Sequence, residues 1–252
     1  MTKARSEADR LRREQRHNRS IAGRAEGLWG WSSPVGRERA RRRAALIEAA
    51  AALEPSQHAL EIGCGTGIFT ALLLRPQASL VAIDISPDFL RQASRKPELA
   101  GTVHFHQASV QRLPFGSARF DAVVGSSVLH HLDLALALPE IKRVLKPGGR
   151  VAFAEPNMLN PHVWLVKNLP ALGRRYGESP DETAFFRWSL QRVLQRAGFA
   201  GVRVVAFDFL HPWLPATLVA PALALSPLLE RVPLLRDLAG SLLVSGSKPI
   251  AP

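Results

Sequence analysis

Ala59-Leu60-Glu61-Ile62-Gly63-Cys64-Gly65-Thr66-Gly67-Ile68-Phe69-Thr70 decides the fold. An apolar run ends in three alternating glycines, and small and apolar residues follow directly. The pattern predicts a strand, a tight turn and a helix opening at Thr66. Glycine serves such a turn twice. It reaches positive φ without a Cβ clash, and it lets a ligand lie against bare main chain. A helix opening there points free N–H groups and a partial positive charge at the crevice beyond the strand. In an open α/β sheet that crevice is where ligands bind.

A second apolar run, Leu80-Val81-Ala82-Ile83-Asp84, ends in a carboxylate about 20 residues after the first glycine. An acid at the end of the neighbouring strand can accept hydrogen bonds from both hydroxyls of a ribose, so the two signals together predict a nucleoside cofactor. The dinucleotide fingerprint is G-x-G-x-x-G, because a pyrophosphate must pass over the turn. Here the spacing is G-x-G-x-G, at Gly63, Gly65 and Gly67, which speaks against an NAD-dependent reductase.

With its preceding acid and the second strand, E-x-G-C-G-T-G followed by V-A-I-D resembles the class I S-adenosylmethionine-dependent methyltransferases. Three later stretches carry the same resemblance. Gln107–Phe115 is similar to the family's D-x-x-x-L-P-F pattern, with Ser109 where an Asp is usual. Phe120–Leu132 resembles the strand end beside the sulfonium, and Glu140–Arg150 matches the R-V-L-K-P-G-G turn. The resemblance covers residues 58–156, and more faintly 186–208.

It implies S-adenosyl-L-methionine as cofactor. The turn residues Glu61, Gly63, Cys64, Gly65, Thr66 and Gly67 would hold its amino-acid end, with main-chain N–H groups on the carboxylate. Asp84 would take the ribose, Ile85 and Val110 the adenine, and Ser126 would stand near the sulfonium. Ser109 can still accept from the adenine amine, though without a charge. His131 aligns with a histidine common in relatives, His130 stands where some lipid-quinone enzymes carry Glu, and Glu155 follows the fifth strand. All three are candidates for the general base that an oxygen or carbon acceptor needs. The competing reading for each histidine is a cap on a strand end. Asn157, Asn160, His162, Asp208 and His211 are further candidates. A metal set can be drawn from His130, His131, Glu155 and His211, but no ligand spacing supports it, and no metal is expected.

Strands read at 59–62, 79–84, 102–106, 120–125 and 150–154. Helices read at 37–53, 67–74, 87–95, 134–145 and 186–197. Such alternation predicts an α/β fold with right-handed crossovers. With strands at 202–208 and 241–247, the resemblance implies a Rossmann-like, doubly wound, seven-stranded, mainly parallel sheet with helices on both faces and an antiparallel edge. Residues 1–36 are expected to form a basic arm, frayed or loosely helical to about residue 20, whose Trp29 and Trp31 either fold over the cleft as a lid, the reading favoured, or seal the sheet edge. The methyltransferase domain would fill 37–252, with a substrate-cap insertion at 157–186 and an apolar cap at 209–238.

Composition narrows the setting. A single cysteine, Cys64, excludes a disulfide framework and fits a reducing compartment. The net charge is +12, and residues 1–43 hold thirteen Lys and Arg against five Asp and Glu, about two thirds of the excess. That asymmetry suits an arm drawn to an anionic partner, or else a solvated tail. No apolar signal core follows the start, so a cytoplasmic protein, peripheral at the inner face of the membrane, is expected. Trp213–Leu229 holds no charge, but three prolines interrupt it, so a cap or an interfacial surface is favoured over a span.

The function expected is methyl transfer to an apolar or lipid-linked small molecule, oxygen before carbon, met at an anionic membrane surface. The alternatives are an RNA methyltransferase using the arm and a non-catalytic cofactor-binding scaffold. Nucleic acid is disfavoured, because no N-P-P-Y tetrad follows the fourth strand and aromatic platforms for bases are sparse.

Overall fold

The apolar runs around the glycine turn become the middle of a seven-stranded sheet. The structure is a computed structural model. It describes residues 3–74, 79–179, 182–211 and 214–250, with side chains from Asp9 onward; Pro212 and Trp213 of the expected apolar cap, and Pro180 and Asp181 of the insertion, lie outside the described residues. In chain order the elements are α1 (Lys3–Ile21), α2 (Ala25–Leu28), α3 (Pro34–Ala51), β1 (His58–Ile62), α4 (Ile68–Leu73), β2 (Ser79–Asp84), α5 (Pro87–Ser94), β3 (His104–Gln107) and β4 (Phe120–Ser126). They continue with α6 (Leu134–Val144), β5 (Leu145–Pro156), α7 (Pro161–Asn168), α8 (Pro170–Arg175), α9 (Arg187–Arg196), β6 (Ala200–Phe207), α10 (Ala216–Leu229), α11 (Pro233–Arg236) and β7 (Ser241–Ser247).

The strand order is β3-β2-β1-β4-β5-β7-β6. The first five strands pair in parallel, and β7 runs antiparallel between β5 and β6. The order reverses between β1 and β4, which sets the ligand crevice at their carboxyl ends. Gly63 leaves one of those ends and Ser127 the other.

Alternation along the central strands sorts their side chains between two helical layers. Val123, Val151 and Phe153 join Ile141 of α6 and Leu190 and Leu194 of α9 on one face. Ala122, Ala152 and Ala154 meet Ile47 of α3 and Phe69 and Leu73 of α4 on the other. Three alanines on that face let α3 lie close to the sheet. α3 starts on Ser33, whose hydroxyl accepts from the Gly36 N–H at 3.0 Å, with Pro34 in the first turn. Only glycine fits at 36, because a Cβ there would fall 1.9 Å from the Gly30 carbonyl oxygen. The helix ends at Ala51, four residues before Pro55, through Ala52 in the left-handed region at φ 47°.

Two expectations change. The helix after the glycine turn opens at Ile68 and spans only six residues. The basic arm is no frayed tail: α1 is a continuous helix of 19 residues. It is fastened to the body by Gln15, which donates to the Ile85 carbonyl at 3.0 Å, and by His17, which lies 2.8 Å from the Gly177 carbonyl. The 157–186 insertion is likewise ordered around α7 and α8. Asn160 caps α7 by accepting from the Val163 N–H at 3.0 Å.

Candidate active site

A cavity of about 380 Å³ opens at the carboxyl ends of β1, β2 and β4. Its donor side is built mostly from main chain. Gly63, Gly65 and Gly67 all have positive φ. A Cβ on Gly63 would collide with Val128, whereas one on Gly65 would meet nothing within 4 Å, so at Gly65 the bare backbone faces open space. Asp84 is buried beside it. One carboxylate oxygen accepts from the Gly65 N–H at 2.9 Å and the other from the Ser86 N–H at 2.8 Å. Burial raises its pKa, and those two N–H groups pull it back. Each oxygen keeps acceptor capacity for a ribose hydroxyl.

Of the residues expected at the cofactor, Gly63, Cys64, Gly65, Thr66, Asp84, Ile85, Ser109, Val110 and Ser126 line the cavity. Glu61 and Gly67 stand behind it. Glu61 is fully buried; burial pushes its carboxyl up to about 7, with the Thr70 hydroxyl offsetting part of that and the Asp84 charge adding to it. Gly67 packs where a Cβ would strike Ala93 and Leu99. Burial pushes the Cys64 thiol well above its usual range, so it serves as a small filler. The Ser109 hydroxyl accepts from the Gln111 N–H at 3.3 Å and holds the turn that faces the adenine side.

Sequence reasoning missed Arg43. It is 3% exposed, lines the cavity, and donates to the hydroxyls of Ser126, at 3.2 Å, Ser127, at 3.0 Å, and Ser241. Its guanidinium lies 5.2 Å from the Trp31 ring centroid. No carboxylate comes into ion-pair reach among the described residues, and its buried Nε has no hydrogen-bond partner. Burial lowers its pKa to about 10 and Arg39 acts in the same sense, while the charges of Asp208 and Glu155 offset part of that. A buried cation whose direct hydrogen-bond partners are neutral hydroxyls is a place where an anion would be favoured. Arg39, one turn away, already has its counter-ion in Asp208 at 2.9 Å. The signal was present in the sequence: position 43 falls within the stripe Ala40, Ala44, Ile47, Ala51 that α3 buries.

The far side of the cavity is built from side chains. Beyond β4 a 3₁₀ turn, Leu129–His131, presents two histidines with ring centroids 4.2 Å apart. Glu155, at the end of β5 and behind the cavity wall, accepts from the N–H groups of Val128 at 3.0 Å and Leu129 at 2.9 Å. Its other oxygen is 2.7 Å from His130 Nδ1. Burial alone would raise Glu155, but His130 and the two N–H groups hold it below its ordinary value. An ionised carboxylate only accepts, so Nδ1 carries the proton and Nε2 the lone pair. Burial and the charge on His131 push His130 down to about 4.

His131 behaves oppositely. Burial works against its charged form, but Glu14 of α1, 3.1 Å away, and Glu182, 3.9 Å away, raise it to about 9. At neutral pH His131 holds its proton and His130 does not. Glu182 also takes Lys167 at 2.8 Å, and Lys167 bonds Glu178 as well. His130, His131 and Glu182 bring possible ligand atoms within 4.8 Å of one another. Each already has another partner, in Glu155, Glu14 and Lys167. His162 and His211, with ring centroids 4.5 Å apart, line the outer wall with Asn160 and Asp208, whereas Asn157 is turned away to the 237 and 239 carbonyls. Trp29 and Trp31 close the side between the two halves, edge-on to Phe89 and Phe69.

A doubly wound sheet with a glycine cradle, a ribose-holding acid and a buried unpaired guanidinium defines a site for a nucleoside that carries a carboxylate. The methyltransferase-domain family matches residues 60–153. Malonyl-[acyl-carrier protein] O-methyltransferase of Herminiimonas arsenicoxydans is 43% identical over 102 residues, 40% of this chain and 37% of that protein. The chain thus spans little more than a third of that relative. Demethylmenaquinone methyltransferase of Lactiplantibacillus plantarum is 30% identical over 62% of this chain and 76% of its own length. The N-methyltransferase NodS of Bradyrhizobium japonicum, solved with S-adenosyl-L-homocysteine, shares the fold with a TM-score of 0.61 at 20% identity, over 93% of this chain and 97% of that one. This chain belongs to the S-adenosylmethionine-dependent methyltransferases, and S-adenosylmethionine is its cofactor. The residues present fit it: bare main chain at Gly65, paired acceptors on Asp84, and Arg43 lacking an anion.

Proposed function

We propose that the protein transfers a methyl group from S-adenosylmethionine to an oxygen of an apolar, lipid-linked small molecule met at an anionic membrane surface. One observation carries this reading: a single cavity joins the Gly63–Gly65 cradle to His130 and to a far wall where Val163, Val166, Phe209 and Leu210 add an apolar stretch beside the histidines and charged groups. The cofactor supplies an activated methyl group, and the chain aligns and shields the acceptor. Asp84 holds the ribose. Arg43 holds the amino-acid carboxylate, which lies against the bare main chain at Gly65.

His130 is the base in this scheme. Glu155 fixes its tautomer and leaves Nε2 to take the acceptor's proton, while His131, protonated and tied to Glu14, positions α1 over the donor side. A histidine depressed to about 4 suits an acceptor whose own proton is acidic, such as an enol, a phenol or a carboxylic acid. Relatives named for malonyl-[acyl-carrier protein] and for demethylmenaquinone support an apolar or carrier-linked acceptor without fixing it.

The test is to incubate the protein with methyl-labelled cofactor and cell extract, then divide the products into lipid, RNA and water-soluble fractions. Label in the lipid fraction that hydrolyses as an ether or ester is expected. Label confined to RNA overturns the proposal in favour of the arm-guided alternative, and cofactor binding without labelled product favours the scaffold.

A further inference from the structure

α10 breaks the usual rule for a surface helix. Its buried face, Val219 and Ser226, is fastened inward. Val219 packs on Val35 and Leu210, and the Ser226 hydroxyl accepts from Arg42 at 3.2 Å and donates to Glu230 at 3.0 Å. An ordinary amphipathic helix would carry charge on the other side. Here none of the 14 residues is charged, and Leu218, Leu225 and Leu228 are about half exposed on the outer face. α11 continues the surface with Leu234, 85% exposed.

A second apolar lobe adjoins the first. Trp164 and Leu165 of α7, with Phe186, edge a shallow hollow, and Trp188 of α9 is half exposed nearby. Two contacts join the lobes at residues 237–238. Arg187 pairs with Asp237 at 3.0 Å, its guanidinium 4.5 Å from the Trp188 ring, and Asn160 donates to the Leu238 carbonyl at 2.8 Å. α7 is therefore a one-helix wall. Val163 and Val166 face the cavity, while Trp164 and Leu165 face outward.

The charge around this face selects its occupant. Arg192 and Arg231 are exposed at its margin, whereas the acids there turn inward, Glu230 to Arg42 at 2.6 Å and Asp237 to Arg187. A self-complementary contact between two copies would set that cationic fringe against itself. Anionic headgroups complement it, and half-exposed tryptophans suit the headgroup level. No helix of the described residues is long and apolar enough to cross a bilayer, so the face can only lie on one.

We propose that the outer faces of α10 and α11, with the Trp164–Trp188 lobe, dock the protein on an anionic lipid surface, α7 separating that surface from the acceptor end of the cavity. The proposal rests on the reading of a membrane-delivered acceptor but is tested apart from it, with the full chain and vesicles that contain no acceptor. Wild-type protein should float with phosphatidylcholine–phosphatidylglycerol vesicles and much less with phosphatidylcholine alone. L225E/L228E/L234E, all at exposed positions, should lower the partition coefficient about a hundredfold, with S-adenosylmethionine affinity unchanged to certify the fold. R231E should cost about fivefold, and only on the anionic vesicles.

Wild-type flotation unaffected by the triple substitution overturns the proposal. So does a wild-type dimer in light scattering that the substitution makes monomeric, with no vesicle binding by either, because a second copy is then the occupant. A protein that floats as expected yet methylates only water-soluble compounds sinks the lipid-acceptor reading and leaves the docking face standing.

Discussion

The two halves of the cavity are made of different material. The donor half is centred on main chain and one acid from the 22 residues Gly63–Asp84, with Arg43 of α3 added. The acceptor half is side chains brought from α1, the turn after β4, the end of β5, the α7–α9 segment and the loop after β6. Main chain held by glycines presents the same N–H groups whatever surrounds it, so the donor half can be shared by proteins with different acceptors. The acceptor half has no local rule to obey, and here it is held together by ion pairs across the whole length of the chain: Glu14 with His131, and Glu182 with His131 and Lys167.

That contrast can be broken by substitution. The largest effect is expected for Asp84→Ala. Losing two charge-assisted bonds to the ribose, and leaving the Gly65 and Ser86 N–H groups unpaired, should weaken cofactor binding about a thousandfold in calorimetry. Unchanged binding would remove Asp84 from the donor half. His130→Gln should keep cofactor affinity, because Gln can still donate to Glu155, while slowing turnover about a hundredfold. Equal turnover would return the base role to another group.

Arg43→Met separates ligand holding from fold. Cofactor affinity should fall about thirtyfold, while the melting temperature of the unliganded protein stays level, since removing a buried charge with no carboxylate in contact offsets the loss of its bonds to Ser126, Ser127 and Ser241. A fall in melting temperature with affinity intact would make Arg43 a structural residue. The last effect is on stability against pH, with no change in the cofactor's contacts. His131 titrates near 9 in the folded protein and near 6.5 in the unfolded chain, so stability should fall as pH rises through that window, by at most on the order of 3 kcal/mol. His130 titrates near 4 when folded, so its contribution falls as pH drops from 6.5 toward 4. The two histidine contributions together are therefore greatest near pH 6.5, and Glu14→Gln should flatten the alkaline side. An unaltered alkaline limb in that variant would mean that the Glu14–His131 pair does not clamp α1.

The same contrast explains what the sequence disclosed. The alternation of strands and helices, the glycine cradle and Asp84 follow from local rules of patterning and turn chemistry, and they were legible. Ser109 and Ser126, expected at the cofactor, both line the cavity. Glu14, Lys167 and Glu182 were not legible. Each is an ordinary charged residue in a charged or turn-rich segment, and only the fold brings α1 and the 178–182 loop to the same histidine. Arg43 and α7 lay between these cases. An arginine within a buried stripe and the Asn160-Pro161 capping pair were both on the page, but the first looked like part of a basic run and the second like part of a long loop. The arm was misread for a related reason: its positive charge is real, yet Glu14, Gln15 and His17 lie on the side that meets the body.

α1 sits across both halves, tied at Ile85 on one and at His131 and Gly177 on the other. One helix thus borders the places of both reactants, so that freeing its amino-terminal end would disturb donor and acceptor binding together.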